Sequence, residues 1–212
     1  LVTSGLYCQP FVTGQGSLEE RGGMPTIVET ERLIVRPWTT SEDDVADAFG
    51  IYSDAAVHSR IGPSLTTMTI DEACTLLAEL AARDPARQMG LWAVEEKATG
   101  RVVGGVLLQP LTIGGADEIE LGYHFASAAW GDGYATEVGQ GLLRYGFDTL
   151  NLTSIIGIYE PGNEASGHVL RKLGMLDERQ VKHENLPFRL LAIDNPASGQ
   201  DSFHGAACGE SH

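Results

Sequence analysis

Alternating apolar and polar positions run from about Thr30 to Asn195 and divide the chain into elements. Leu33-Ile34-Val35-Arg36-Pro37-Trp38 is a short apolar run halted by proline, which predicts a strand. Thr39-Thr40-Ser41-Glu42-Asp43-Asp44 follows, with hydroxyls to cap a helix and acids to face its dipole; this helix should reach about Ser53. Residues 54–69 carry no period, are broken by Gly62-Pro63, and are expected to be irregular. Thr69 or Asp71 caps a second helix, to about Arg83, with Ala73, Leu76, Leu77 and Leu80 on one face and Asp84-Pro85 ending it.

Residues 89–95 and 101–109 flank the turn Ala98-Thr99-Gly100 and predict a hairpin. Gly104-Gly105 in its second strand implies a bulge or a close packing contact. Residues 111–117 read as a glycine-containing loop, and 118–125 as the third strand of a meander. A glycine turn, a helix over 137–150 and a β-branched strand over 153–159 then form a β-α-β unit. Pro161-Gly162-Asn163 breaks that strand. A helix over 164–173 ends at Gly174, which suits a left-handed C-cap, and residues 176–181 and 187–193 supply the last strands.

This pattern defines one domain over residues 24–196. Residues 1–23 and 197–212 are rich in small and polar residues and are expected to be disordered extensions. Apolar residues make up 42% of the chain, enough for a core, but no run is long enough to span a membrane. Cys8, Cys74 and Cys208 form no disulfide or zinc pattern, which points to a reducing cytoplasm. The net charge of −15 argues against a nucleic-acid partner, which would need a basic face. It suits a cationic or amine substrate, although acidity alone is common among soluble proteins.

Candidate chemistry concentrates at Trp130-Gly131-Asp132-Gly133-Tyr134-Ala135-Thr136-Glu137, between a strand and a helix. Glycines there let a ligand approach the backbone, and helix-start N–H groups attract phosphate. The same glycines would also serve a plain tight turn. A P-loop is excluded, because no G-x-x-x-x-G-K-[ST] occurs, and the third glycine of a dinucleotide fingerprint is replaced by Thr136.

The strand Glu118-Ile119-Glu120-Leu121-Gly122-Tyr123-His124-Phe125, the glycine turn, Asn163-Glu164-Ala165-Ser166 and Lys172-Leu173-Gly174-Met175 together resemble the GNAT N-acetyltransferase superfamily. With Thr30-Glu31-Arg32-Leu33-Ile34-Val35-Arg36-Pro37 the chain looks most like the RimJ/RimL-like ribosomal-protein N-terminal acetyltransferase branch. The resemblance implies a mixed α/β (α+β) fold, with a mostly antiparallel sheet splayed between its fourth and fifth strands and flanked by helices. It implies acetyl-CoA as acetyl donor and an amine-bearing acceptor, either a small molecule or a protein N-terminus. It also admits a homodimer. The pantetheine arm would lie in the splay against Tyr123, His124 and Phe125. The pyrophosphate would lie on N–H groups of Trp130, Gly131, Asp132, Gly133, Tyr134 and Ala135. The superfamily often carries Gln or Arg three places before the first glycine; Ala128 stands there, leaving the phosphates to the backbone.

By the same resemblance, Asn163 bonds the pantetheine and Ser166 lies near the sulfur, where a hydroxyl can protonate the leaving thiolate. Taken locally, they are a turn residue and a first-turn helix residue. A base is needed to deprotonate the amine. Glu120, mid-strand and on one face with Glu118 and Gly122, is the candidate, ahead of Glu160, His124 and His168. The alternative to an enzyme is a non-catalytic acyl-CoA-binding module on the same fold.

Overall fold

A computed structural model describes residues 25–61, 68–83 and 88–197. The expectations for both chain ends, for Gly62-Pro63 and for Asp84-Pro85 lie outside the described residues. Eight strands form one sheet in the order β1-β2-β3-β4-β5-β6-β8-β7, antiparallel except where β5 meets β6. The strands are β1 (Val28–Glu29), β2 (Leu33–Arg36), β3 (Gly90–Glu96), β4 (Val102–Ile113), β5 (Ala116–Phe125), β6 (Ser154–Tyr159), β7 (Leu176–His183) and β8 (Leu186–Asp194). The short edge strand β1 was not expected, so the strands flanking the splay are the fifth and sixth rather than the fourth and fifth.

Helix α1 (Glu42–Tyr52) starts where Ser41 accepts a hydrogen bond from the Asp44 N–H. Its buried Asp44 holds Arg36 of β2 through two hydrogen bonds of 2.9 and 2.8 Å, while Arg36 Nε donates to Glu95 of β3 at 2.6 Å. Residues 55–61 form a second helix, α2 (Ala55–Ile61), where irregular chain was expected. Asp54 caps it, its Oδ1 accepting from the Ala56 N–H at 2.8 Å, and Val57 anchors it in the core. A seven-residue helix has too few turns to show a period. Helix α3 (Ile70–Ala81) begins with a reciprocal capping box between Thr69 and Glu72.

The loop expected over 111–117 is instead the tip of a long β4–β5 hairpin. Gly114 and Gly115, at φ 60° and 84°, make a two-residue turn whose twist matches the strands. Pro110 is tolerated inside β4 because β3 ends opposite Leu108 and leaves that side unpaired. At Gly104-Gly105 both expected features occur. The β3–β4 register shifts next to them, between Gly104 and Val102, and an added Cβ on Gly105 would lie 2.6 Å from the His124 ring.

Helix α4 (Tyr134–Arg144) starts earlier than expected and ends in a π-helical turn, Tyr145–Thr149. Helix α5 (Glu164–Lys172) follows β6. Val138, Leu142 and Leu170 of these two helices pack on Leu121, Phe125, Ile155 and Tyr159 of the sheet in the largest core cluster. Helices α1, α2 and α3 cover a second cluster around Trp38, Ile51, Tyr52, Val57 and Leu77.

Candidate active site

Strands β5 and β6 run parallel but share a single register pair, Glu120 with Ile156. Beyond it the ladder is broken, and a cavity of about 360 Å³ lies between the strands. β5 lines it with Glu120 through Phe125, β6 with Ile158 and Tyr159, and α5 with Ala165, Ser166 and Val169. Val57 and Arg60 of α2 and the turn between β5 and α4 complete the wall.

The turn leaves a row of backbone donors free. After a 3-10 turn over Ser127–Ala129, Gly131 and Gly133 adopt φ of 91° and 82°, which other residues take only with strain. Among the described residues, the backbone N–H groups of Gly131 through Ala135 donate to no protein acceptor. Five consecutive donors at a helix start form a concave positive site. Trp130 is fixed by its indole N–H, which donates to the Phe125 carbonyl at 2.9 Å. The far side of the turn is braced by Glu137, which accepts from the Thr30 hydroxyl at 2.7 Å, the Arg32 N–H at 2.8 Å and Arg32 Nε at 2.7 Å. Glu137 therefore does more than face its own helix dipole: it pins α4 to the β1–β2 turn.

Glu120 is 2% exposed and its Oε2 has no hydrogen-bond partner. Burial pushes its carboxyl up to about 7, with a bond from Gln109 on β4 pulling the other way. Glu118, on the same strand face, is instead within 3.8 Å of Arg179. His124 is also buried, its ring tilted against Tyr52 with centroids 5.1 Å apart, and burial lowers its imidazole to about 3. A ring that stays neutral and has no polar partner is a poor base, although His124 lines the wall. His168 is exposed on α5 and outside the wall, whereas Glu160 lies within it.

Tyr123 and Ser166 meet across the cavity. The phenol donates to the Ser166 carbonyl at 3.0 Å, and the two hydroxyls lie 3.1 Å apart. Burial raises the Tyr123 pKa, so the phenol keeps its proton. Asn163 caps α5, its Oδ1 accepting from the Ser166 N–H at 3.4 Å. Of the residues expected to hold a ligand, Tyr123, His124, Phe125, Trp130, Gly131, Gly133, Tyr134, Ala135, Asn163 and Ser166 all line the cavity, as does Glu120. Asp132 is exposed and outside the wall.

Sequence reasoning gave Tyr123 no chemistry beyond its backbone and shape, placed Arg60 in a loop lining the acceptor side, and gave no cofactor-binding role to Arg60, Thr136 or Lys172, which also line the cavity. Asp54, a good N-cap before Ala55-Ala56-Val57, was the signal that could have placed Arg60 on a helix. Among the described residues, no group of three or more His, Cys, Asp or Glu is placed to hold a metal, and no helix is long and apolar enough to cross a membrane.

Residues 32–176 match the family model of the acetyltransferase (GNAT) domain. The uncharacterized protein YkkB of Bacillus subtilis is 35% identical over 99 residues, which are 47% of this chain and 58% of YkkB. The uncharacterized N-acetyltransferase YoaA of the same organism is 30% identical over 163 residues, 75% of this chain and 89% of YoaA. Among solved structures, a GNAT-family acetyltransferase from Bacillus anthracis superposes with a TM-score of 0.66 at 24% identity, covering 79% of this chain and 98% of that one. Mycobacterium smegmatis RimJ, in complex with CoA-disulfide, superposes with a TM-score of 0.62 at 24% identity, covering 79% and 84%. At these identities the structural likeness speaks for the fold. The family match covers most of the chain, and the chain belongs to the GNAT acetyltransferase family of acyltransferases.

Proposed function

We propose that this GNAT acyltransferase moves an acetyl group from acetyl-CoA to a primary amine, with both substrates bound at once. The observation that carries the reading is one continuous cavity. It joins the turn that carries the free N–H groups of Gly131 through Ala135 to the buried Glu120 carboxyl, whose Oε2 has no hydrogen-bond partner. The fit to acetyl-CoA rests on that geometry. The donor row suits a diphosphate, and the broken β5–β6 ladder leaves edge groups of Tyr123, His124 and Phe125 for an extended amide-bearing arm. Acetyl-CoA supplies an activated acyl thioester.

The chain's own residues then have three tasks. Gly131 to Ala135 hold the anionic end. Glu120 takes the proton from the acceptor's ammonium group, a role that suits a carboxyl whose pKa lies near neutrality. Ser166 and Tyr123, which share a hydrogen bond, hold the proton that the departing sulfur needs. Burial of the site keeps water from competing for the acyl group.

The acceptor is a protein N-terminus or a small amine, and we place the enzyme in the cytoplasm. We also place it nearest the ribosomal-protein N-terminal acetyltransferase branch, supported by Thr30 to Pro37 and by the fold shared with M. smegmatis RimJ. A homodimer is part of the same proposal. Thiol release from acetyl-CoA, measured against a panel of peptide N-termini, polyamines and amino acids, tests the activity. Turnover with at least one amine is expected; tight CoA binding without turnover on any amine would refute it.

A further inference from the structure

A diphosphate is doubly charged, and this protein carries a net charge of −15. Long-range electrostatics therefore oppose the proposed acetyl donor, and local cations must compensate. Among the described residues lining the cavity, two bear a fixed positive charge, Arg60 and Lys172. Lys172 ends α5, about 13 Å along the helix from the Asn163 cap. Arg60 is beside the phosphate turn. Its guanidinium carbon lies 4.6 Å from the centre of the Trp130 ring, and Nη1 donates to Asn163 Oδ1 at 3.4 Å.

This placement leaves Arg60 available. A cation–π contact of this kind occupies none of the guanidinium N–H groups in a hydrogen bond to a carboxylate or carbonyl. The bond to Asn163 is at the long limit of hydrogen bonding and is exchanged at little cost. Among the described residues, Arg60 has no carboxylate partner, unlike Arg32, Arg36, Arg101 and Arg171. Trp130 precedes Gly131 directly, and Arg60 and the glycine turn line the same cavity. Ala128, in the same segment, has only a methyl group to offer.

We propose that Arg60, reaching from α2 across the cavity and stacked on Trp130, is the cation that pairs with the donor's diphosphate. The inference rests on acetyl-CoA being the donor and adds a residue outside the glycine turn to its binding. It gives α2 a second duty: the helix on the far face of the sheet supplies a charge to the phosphate site, while Asp54 at its N-terminus accepts a hydrogen bond from Ser127 just before the turn.

The test is a calorimetric titration of the full chain with CoA, dephospho-CoA and pantetheine, comparing wild type with Arg60→Ala and Arg60→Gln. The Gln variant keeps the stem and a donor for Asn163 but removes the charge. Both variants are expected to weaken CoA and dephospho-CoA alike by about 10- to 100-fold, the loss of one charge-assisted hydrogen-bonding group, and to leave pantetheine unchanged. Equal weakening of all three would make Arg60 a packing residue and overturn the proposal. Weakening of CoA alone would assign the charge to the 3′-phosphate and overturn it. A change confined to the acceptor KM in the thiol-release assay would assign it to the acceptor and overturn it. Wild-type protein that fails to bind CoA would instead refute the underlying choice of donor, an outcome visible before any variant is made.

Discussion

At the scale of single residues the account turns on Glu120. A carboxyl raised to about 7 binds its proton more tightly in the folded chain than in the unfolded one. Its contribution to stability is therefore present at low pH and is lost as pH rises through the interval from 4.5 to about 7. Glu120→Gln removes that penalty. It should be more stable than wild type at pH 8 by roughly 2–3 kcal/mol, with the gap closing towards pH 5, as read by melting temperature against pH. The same change should lower kcat/KM by about 100-fold or more and abolish an acid limb near pH 7 in the wild-type profile. Opposite signs for stability and activity distinguish a strained functional carboxyl from a structural one. Tyr123→Phe and Ser166→Ala should each reduce kcat by about 10-fold, and the double variant should lose little more, because the two hydroxyls act through one shared hydrogen bond. That contact joins residues 43 apart in sequence. Tyr123 was therefore read as strand backbone, while Glu120 could be chosen from strand alternation alone.

At the scale of elements, regular strands and capped helices were legible because their signals are local. The candidate cap at Thr69 and the apolar face of Ala73, Leu76, Leu77 and Leu80 announced α3, and the strand order around 118–159 announced the parallel crossover. What escaped was too short to carry a period of its own. β1 exists through its pairing with β2, and α2 through Asp54 and the burial of Val57. The Gly114-Gly115 tip was legible as a glycine cluster, but not as a two-residue hairpin. The site was legible in outline for the same reason: the glycine turn, Asn163 and Ser166 carry local patterns, whereas Arg60 lies on the helix that was missed. The brace behind the glycine turn can be tested at this scale. Glu137→Ala leaves the Thr30 hydroxyl and the Arg32 guanidinium without their acceptor. It should cost roughly 1–3 kcal/mol, lowering the melting temperature by several degrees and weakening CoA binding with it.

At the scale of the whole molecule, the proposed function sets a polyanionic donor inside a strongly acidic chain. The free N–H row meets that conflict at short range, where surface charge matters least. The same field favours a cationic amine at long range. For a polyamine or other multiply charged acceptor, kcat/KM should therefore fall severalfold between low salt and about 300 mM, while a zwitterionic acceptor should show little change. Equal salt dependence for both would remove the acidic surface from the account of acceptor choice. The central claim is that the break between β5 and β6 is the acyl-donor site, and a crystal structure of the full chain with CoA tests it most directly. The account predicts the diphosphate on the N–H groups of Gly131 through Ala135 and the sulfur within reach of Ser166 and Tyr123, on the Glu120 side of the sheet break. CoA bound outside the β5–β6 break, or with its sulfur remote from Glu120 and Ser166, would contradict it.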